Sequence, residues 1–282
     1  MPELPEVESI RRRLGPWMTD ASFDEVEIRR PDLRQPFPRR FRIRLTGQTV
    51  VALSRRAKYL LATLSSSETL LIHLGMSGSF RIDVPVEGGV GSTTGQPAPV
   101  DRHDHVVFHM SSGATIAYND PRRFGLMNLL SRAALANHPA LSRLGPEPLS
   151  PSFDALALAR ACKGKKTSLK AALLDQRVVA GLGNIYVSEA LHRAGLSPRR
   201  RASTIVTPGG TPRASAHRLT SAITQVLTEA VARTLDSASY RSSRFRVYDR
   251  EGKPCRRARC GGVIKRQTQA GRSTFYCPVC QD

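Results

Sequence analysis

Long apolar segments are missing from this sequence of 282 residues. No run approaches the ~18 apolar residues that span a bilayer, and residues 1–30 have no hydrophobic segment typical of a signal peptide. We therefore expect a cytoplasmic protein with no membrane partner. Cysteine is also scarce: there are five, and four of them lie between residues 255 and 280. Clustering of this kind in a cytosolic chain argues against a disulfide framework and favours a metal site.

Acidic residues are depleted in one half of the chain, and lysine in the other. Residues 160–282 hold 24 Lys/Arg and 7 Asp/Glu, whereas residues 1–159 hold 19 and 16, so most of the net charge of +20 lies in the second half. Such a basic half favours a polyanionic partner, although a solvated basic face or a ribosomal-type tail has the same composition. Lys58 is the only lysine before residue 163. A lysine in an otherwise arginine-rich domain suggests a group that exchanges protons, because arginine cannot.

The first six residues, MPELPE, offer an unusual nucleophile. Removal of Met1 would leave Pro2 with a secondary α-amine, which titrates at about pH 7.7–8 before any perturbation and lower at the positive end of a helix. Such an amine can attack a sugar C1′ to give an iminium ion, with Glu3 placed as a proton donor. The alternative is an ordinary helix start, in which prolines and glutamates come first and arginines last.

The pattern of the first domain predicts a β-sandwich or flattened barrel after an N-terminal helix at residues 5–14. We expect a long loop at 85–99, where Gly, Pro, Ser and Thr predominate, and an end to the domain near residue 135. The predicted strands are Phe23–Arg29, Phe41–Leu45, Gln48–Ser54, Tyr59–Leu64, Thr69–Leu74, Val106–Met110 and Ala114–Tyr118.

Helical spacing takes over at residues 152–194 and returns at 216–234, with a loop predicted at 197–214. Within the first helical region, the sequence GLGN (181–184) predicts a turn in which Asn184 caps the next helix and backbone N–H groups face an anion. Glycine and asparagine are also common in the turns before helices, whether or not an anion is bound there.

The C-terminal cysteines, Cys255-x4-Cys260-x16-Cys277-x2-Cys280, match a four-cysteine zinc ribbon. Val263-Ile264 and Thr274-Phe275-Tyr276 are the predicted strands of its hairpin. We therefore expect one structural Zn²⁺. Because all four metal positions are taken by thiolates, the ribbon suits DNA contact better than catalysis by the metal.

The ordered motifs of the chain resemble the formamidopyrimidine-DNA glycosylases, a family of bifunctional base-excision repair enzymes. The resemblance runs nearly end to end. It is carried by PELPEVE (2–8), RRAKYL (55–60), HLGMSGSFR (73–81), HDHV (103–106), DPRRFG (120–125), LGPEPL (144–149), KKTSLK (165–170), GLGNIYVSEAL (181–191) and the ribbon.

The resemblance implies an α+β fold: an N-terminal β-sandwich domain with the catalytic helix (1–135), a helix-two-turn-helix DNA-binding domain (136–245) and a zinc ribbon (246–282). The implied partner is damaged double-stranded DNA, bound by a monomer in the cytoplasm at the nucleoid. The implied activity is DNA glycosylase and AP lyase on 8-oxoguanine and formamidopyrimidines.

By the same resemblance, Pro2 is the nucleophile that forms the Schiff base, and Glu3 protonates the sugar ring oxygen. Lys58 is the proton donor for β-elimination and Arg272 serves δ-elimination, while Glu6 supports the catalytic helix. The remaining implied residues bind DNA. Met76, Arg122 and Phe124 fill the gap left by the extruded nucleotide, Arg122 also binds the widowed cytosine, and phosphate contacts come from His103, Lys165 and Asn184.

The sequence departs from the family pattern at two places. Four residues separate Cys255 from Cys260 where the family commonly has two, and residues 235–246 are short where the family has a Gly-rich loop over the extruded base. Two alternatives therefore stay open. One is an enzyme like endonuclease VIII that prefers oxidised pyrimidines, and the other is a non-catalytic zinc-ribbon nucleic-acid-binding protein.

Overall fold

The structure, a computed structural model, describes residues 2–86, 89–92, 101–236 and 245–282. The chain forms two compact units, Met1–Ser142 and Arg143–Asp282. Within the described residues, no helix has both the length and the apolar character needed to cross a membrane.

The first unit begins with helix α1 (Leu4–Met18), which continues one turn beyond the predicted end. Leu4, Val7, Leu14 and Met18 recur at helical spacing and are all buried. Burial of Leu14 and Met18 against the core keeps the helix intact through Gly15 and Pro16.

Two antiparallel sheets follow α1, and buried side chains from both sheets form one hydrophobic core. One sheet has the order β1-β7-β8-β5-β6 and the other β2-β3-β4-β9. The elements of this unit after α1 are β1 (Phe23–Ile28), α2 (Phe41–Leu45), β2 (Val50–Arg56), β3 (Tyr59–Leu64), β4 (Thr69–His73), β5 (Ser79–Val86), β6 (Gly89–Ser92), β7 (Asp104–Met110), β8 (Thr115–Asn119), β9 (Leu126–Leu130) and α3 (Arg132–Ala136). The predicted β-sandwich with an N-terminal helix is confirmed.

The strand predicted at Phe41–Leu45 is wrong, because this segment is the short helix α2. Phe41 and Leu45 lie four residues apart on one helical face and are buried, whereas Ile43 between them is 68% exposed. A strand would have placed all three side chains on the same face. In a segment of only five residues, the spacing of the apolar side chains fits both the helical and the strand period.

The loop predicted at 85–99 is wrong in part. Pro85 and Val86 continue β5, and Gly89–Ser92 pair with it as β6. The β-branched residues Val84, Val86 and Val90 favour this extension. Residues 87–88 and 93–99 lie outside the described residues.

The second unit is helical, with a β-hairpin near its end. Its elements are α4 (Ala155–Cys162), α5 (Leu169–Leu174), α6 (Asn184–Ala194), a short 3-10 helix (Ala202–Ile205), α7 (Ala214–Asp236), β10 (Lys265–Gln269) and β11 (Arg272–Tyr276). The first hairpin strand was predicted at Val263-Ile264, which is wrong. Those two residues precede β10, and Val263 forms an isolated bridge with Pro254.

Candidate active site and zinc centre

The N-terminal residues lead directly into α1. Glu3 is the N-cap of the helix and is 1% exposed. Its backbone N–H donates to Oε2 of Glu6 at 2.9 Å, as in a capping box, and Pro5 occupies the first turn. Pro2 is partly exposed, next to the positive end of the helix dipole. Met1 lies outside the described residues, so its removal stays a prediction.

Lys58 sits in the tight turn between β2 and β3. Arg56 pairs with Tyr59 across this turn, and Ala57 adopts a left-handed backbone with φ of 52°. Two-residue hairpin turns need such positive φ values to match the twist of their strands. The turn therefore holds Lys58 at the tip of a rigid hairpin.

The Glu8 carboxylate connects α1 to this hairpin. It accepts hydrogen bonds from Arg11 and Arg12 on its own helix and from Nε of Arg55 on β2 at 3.2 Å. Arg55 also donates from Nη1 to the carbonyl oxygen of Ala57 at 2.8 Å. Thus one arginine binds both α1 and the turn that carries Lys58.

Burial of the Glu8 carboxylate opposes its ionisation. Hydrogen bonds and positive charge from Arg11, Arg12 and Arg55 outweigh that effect and lower the pKa of Glu8 to about 2. The group is therefore ionised throughout the physiological range. Sequence reasoning did not single out Glu8 because its partner Arg55 is remote in the chain.

His73, at the end of β4, lies beside the same turn. Its ring packs against Tyr59 with centroids 4.8 Å apart, and its Nδ1 accepts the N–H of Gly75 at 3.1 Å. Burial, followed by the positive charges of Lys58 and Arg34, lowers the pKa of His73 to about 4. A neutral imidazole thus separates the Lys58 turn from the loop that carries Met76.

The two loops with the predicted wedge residues expose them to solvent. Met76 is 42% exposed and Phe124 is 45% exposed, unlike the apolar core of the same unit. The guanidinium of Arg122 lies 4.7 Å from the centroid of the Phe124 ring. Gly75, at φ of 62°, allows close approach of the loops, since a Cβ there would lie 2.3 Å from the carbonyl carbon of Phe124.

Asp120, which is completely buried, holds these loops together. Its carboxylate accepts the hydroxyl of Ser77 at 2.5 Å and the N–H of Gly125 at 2.8 Å. The Ser77 hydroxyl in turn accepts the N–H of Arg122 at 3.2 Å. Sequence reasoning missed Asp120 and Ser77 as a pair, although both lie inside the motifs quoted above.

His103 belongs to the same region. Its backbone carbonyl accepts the N–H of Asp120 at 3.1 Å, and its side chain is partly exposed. The first unit therefore gathers Met76, His103, Arg122 and Phe124 around one buried carboxylate.

In the second unit, Gln176 shapes the turn before α6. Its side chain accepts the N–H of Gly181 and donates to the carbonyl oxygens of Leu174 and Leu182. The prediction that Asn184 caps α6 is wrong, because Gly183 is the N-cap. Asn184 instead donates from Nδ2 to the carbonyl oxygen of Ser273 at 3.0 Å.

The carbonyl of Ser273 has a second partner, the buried ammonium of Lys170. The Nζ atom of Lys170 donates to this oxygen at 3.0 Å and to Oγ1 of Thr274 at 2.7 Å. Arg272, the residue before Ser273, is exposed at the turn of the β10–β11 hairpin. Two helical side chains thus fix the backbone next to Arg272. Sequence reasoning missed Lys170, whose only signal is its place in KKTSLK.

Lys165 begins the same motif and is partly exposed. Its backbone N–H donates to the carbonyl oxygen of Cys162, and its carbonyl oxygen accepts the N–H of Ser203. These bonds fix the main chain at Lys165 and do not involve its side chain. The structure brings Lys170, Asn184 and the Arg272 hairpin together.

The four C-terminal cysteines converge on one point, with their sulfur atoms within 4.8 Å of one another. Cys255 and Cys280 are 3.8 Å apart, and Cys260 and Cys277 are 3.5 Å apart. Tetrahedral zinc with Zn–S bonds of ~2.3 Å requires sulfur separations of ~3.8 Å, so the cluster fits one Zn²⁺. Nε2 of His192 lies 3.2 Å from Cys255 Sγ and can donate to its thiolate.

The wide spacing between Cys255 and Cys260 includes two arginines that bind carbonyl oxygens elsewhere in the second unit. Arg256 donates to the carbonyl oxygen of Phe245 at 2.9 Å. Arg257 donates to the carbonyl oxygens of His192 and Arg193 at the C-terminal end of α6. A cation at this end of a helix satisfies otherwise unpaired carbonyls. The four-residue spacing between Cys255 and Cys260 thus leaves the β10–β11 hairpin intact and adds the hydrogen bonds made by Arg256 and Arg257.

Glu189 on α6 fixes the start of the ribbon. Its two carboxylate oxygens accept the backbone N–H groups of Arg246, Val247 and Tyr248, each at 2.9 Å. Residues 237–244, where the family loop was predicted to be short, lie outside the described residues.

Three family models match consecutive parts of the chain. They are the formamidopyrimidine-DNA glycosylase N-terminal domain at residues 1–127, the formamidopyrimidine-DNA glycosylase H2TH domain at 144–242, and the zinc finger found in FPG and IleRS at 252–282. Together with the four-cysteine cluster, they define a zinc-containing DNA glycosylase of the helix-two-turn-helix class.

Full-length relatives narrow this class to one family. Formamidopyrimidine-DNA glycosylases from Rhodopseudomonas palustris and from a Bradyrhizobium species are 59% and 57% identical, with 100% of each chain covered. The Lactococcus lactis enzyme bound to DNA with an abasic site has a TM-score of 0.85 at 30% identity and full coverage of both chains. The Thermus thermophilus protein has a TM-score of 0.80 at 37% identity, covering 99% of this chain and 98% of its own. The chain belongs to the formamidopyrimidine-DNA glycosylase family.

Proposed function

We propose that this enzyme excises 8-oxoguanine and formamidopyrimidines from duplex DNA through a Schiff base on Pro2, and then cleaves the abasic strand by β,δ-elimination. The observation that carries the proposal is the link from α1 to the Lys58 turn through Glu8 and Arg55. It makes one rigid assembly of the helix that starts at the candidate nucleophile and the hairpin that presents the candidate proton-transfer group.

The first chemical step needs a nucleophile and an acid at the N-terminus. After loss of Met1, the amine of Pro2 attacks C1′, the C1′–N bond to the damaged base breaks, and the base leaves with a proton. Glu3 supplies a proton to the ring oxygen as the sugar opens and the iminium ion forms. Glu3 is 1% exposed and adjoins Pro2 in the sequence, which supports this role.

The second stage breaks two C–O bonds to phosphate. The iminium ion makes the C2′ proton acidic, and β-elimination releases the 3′ phosphate with Lys58 exchanging protons. Delta-elimination then releases the 5′ phosphate with assistance from Arg272. The bonds from Lys170 and Asn184 to Ser273 support this role by fixing the backbone beside Arg272.

Access to C1′ requires the damaged nucleotide to leave the stack. We propose that Met76 and Phe124 fill the gap, that Arg122 binds the widowed cytosine, and that His103, Lys165 and Asn184 bind phosphates. The solvent exposure of both apolar side chains supports the wedge. We propose that the enzyme works as a monomer at the nucleoid, with 1–135, 136–245 and 246–282 as its domains.

Borohydride trapping tests the covalent step directly. The untagged protein should form a stable adduct with an 8-oxoguanine duplex, because the reductant converts the iminium ion to an amine. A matched variant with one alanine inserted before Pro2 should form none, since its proline nitrogen is an amide. Absence of an adduct with any oxidised or abasic duplex would refute the proposal.

Substrate choice is tested by a cleavage panel. Duplexes with 8-oxoguanine, formamidopyrimidine or an oxidised pyrimidine, each opposite all four bases, should give the fastest excision for the purines opposite cytosine. Faster excision of oxidised pyrimidines would favour an enzyme like endonuclease VIII. Solved Lactococcus lactis relatives in complex with abasic-site and Fapy-dG DNA support the purine assignment.

A further inference from the structure

A groove lies beside α2 in the first unit, with a volume of about 320 Å³. The rings of Phe37 and Phe41 stack in it with centroids 5.1 Å apart. Ile43, at one side, is 68% exposed, which is the largest exposure among the described large apolar residues. The apolar side chains that line the groove are Ile28, Pro31, Phe37, Pro38, Phe41 and Ile43.

Positive charge surrounds this apolar groove. Residues 29–44 contain seven arginines and a single acidic residue, Asp32, which already pairs with Arg123 at 3.4 Å. Arg40 and Arg42 line the groove itself. Five of the seven are exposed and form no ion pair among the described residues: Arg30, Arg34, Arg39, Arg40 and Arg42.

The backbone directs one of these arginines. Arg40 is the N-cap of α2 and has φ of 57°, a left-handed value that long side chains rarely adopt. The carbonyl of Arg40 accepts the N–H of Arg44 at 2.9 Å, which closes the first turn of the helix. The charged rim of the groove is therefore built into the fold.

We propose that this groove docks an extended acidic peptide segment of a partner protein, with one large apolar side chain of the segment packed against the exposed Ile43 and the partly exposed Phe37. An exposed apolar surface with a polar rim is typical of protein docking sites. The unpaired arginines require carboxylates from the partner, because the groove has none of its own. A second copy of this chain is a poor occupant, since each copy carries a net charge of +20.

Duplex DNA is also anionic, but it fits the groove less well. Its phosphates would engage the arginines and leave the exposed Ile43 and the accessible part of Phe37 uncovered. An extended peptide engages both, because alternate side chains can supply carboxylates and an apolar anchor.

Fluorescence anisotropy with a labelled peptide, Asp-Asp-Ser-Phe-Leu-Asp-Asp, tests the proposal on the full-length enzyme. We expect a Kd of about 10–100 μM that rises with salt. Replacing Phe and Leu of the peptide by serine should weaken binding at least tenfold. Equal affinity for both peptides, or no binding at about 1 mM protein, would overturn the proposal.

Variants of the protein locate the site. Ile43→Ser and Arg42→Glu should each weaken peptide binding at least fivefold and leave excision on naked DNA unchanged. The matched controls are Val51→Ser, an exposed apolar residue of β2, and Arg13→Glu, an exposed arginine of α1. If Ile43→Ser and Arg42→Glu weaken binding of an undamaged duplex as much as binding of the peptide, the groove is a DNA contact and the proposal fails.

Discussion

The hydroxyl of Ser77 donates a hydrogen bond of 2.5 Å to the buried carboxylate of Asp120, across 43 residues of sequence. This bond joins the loop of Met76 to the loop of Arg122 and Phe124. The two loops that carry the proposed wedge residues therefore have one common support.

Removal of the Ser77 hydroxyl should loosen both loops. We expect Ser77→Ala to cost about 1 kcal/mol, and hence to slow excision of 8-oxoguanine about fivefold in single-turnover assays. Cleavage of a preformed abasic site should change less, because less of the stack has to be opened. Ser79→Ala, an exposed serine two residues away, is the control. An equal loss on both substrates would contradict this role.

Replacing Arg122 by alanine should affect base discrimination. Arg122→Ala removes the proposed donor for the widowed cytosine, so the preference for cytosine opposite the lesion should fall about tenfold. Cleavage of abasic sites should be largely retained. The ratio of excision rates opposite cytosine and adenine measures this effect, and an unchanged ratio would refute the assignment.

The depressed pKa of Glu8 predicts a pH-dependent contribution to stability. The pKa rises from about 2 in the folded protein to its ordinary value of 4.5 on unfolding. The stabilisation is therefore complete above pH 4.5 and is lost as pH falls towards 2. Glu8→Gln should cost about 1–3 kcal/mol at pH 7.

Urea unfolding of wild type and Glu8→Gln at several pH values measures this difference. The gap between the two proteins should shrink as pH falls below 4.5, whereas Glu25→Gln, on an exposed residue of β1, should show no gap. A constant gap at all pH values would mean that the charge of Glu8 contributes nothing.

Loss of one zinc ligand should unfold the ribbon locally. Cys277→Ser is expected to release the ion and to weaken DNA binding, because structural zinc supplies folding energy to small domains. Metal analysis of the purified proteins should give one zinc per wild-type chain and less for the variant. Full zinc content in Cys277→Ser would exclude Cys277 as a ligand.

The arginine contributed by the wide cysteine spacing should stabilise the second unit without affecting the metal. Arg257→Ala removes the donor to the carbonyls at the end of α6 and should lower the free energy of unfolding by about 1–2 kcal/mol. Zinc content should be unchanged. Arg259→Ala, on an exposed neighbour, is the control, and equal destabilisation by both would argue against a specific cap.

The sequence predicted the β-sandwich, the helical region and the zinc ligands, because these depend on local periodicity and on spacing. It failed at Phe41–Leu45, where five residues fit two periods equally well and tertiary burial decides between them. The strand boundaries of the ribbon were also shifted, because Val263 and Ile264 have strand-forming side chains but precede β10, and Val263 forms only an isolated bridge with Pro254.

Long-range partners were beyond sequence reasoning. Lys170 and Ser273 are 103 residues apart, and Glu8 and Arg55 are 47 apart. Nothing in either local pattern indicates the other member of the pair. Met76 and Phe124 were assigned to the wedge by motif alone, and only the fold shows that these apolar side chains are exposed.

The three backbone N–H groups bound by Glu189 hold the start of the ribbon independently of the segment that precedes it. Because the carboxylate fixes Arg246, Val247 and Tyr248 from the side of α6, the zinc ribbon keeps its anchorage whatever number of residues joins Asp236 to Phe245. Insertions and deletions there can be accommodated while the Arg272 hairpin stays in place. Selection can therefore change the length of this segment without a compensating change in the ribbon.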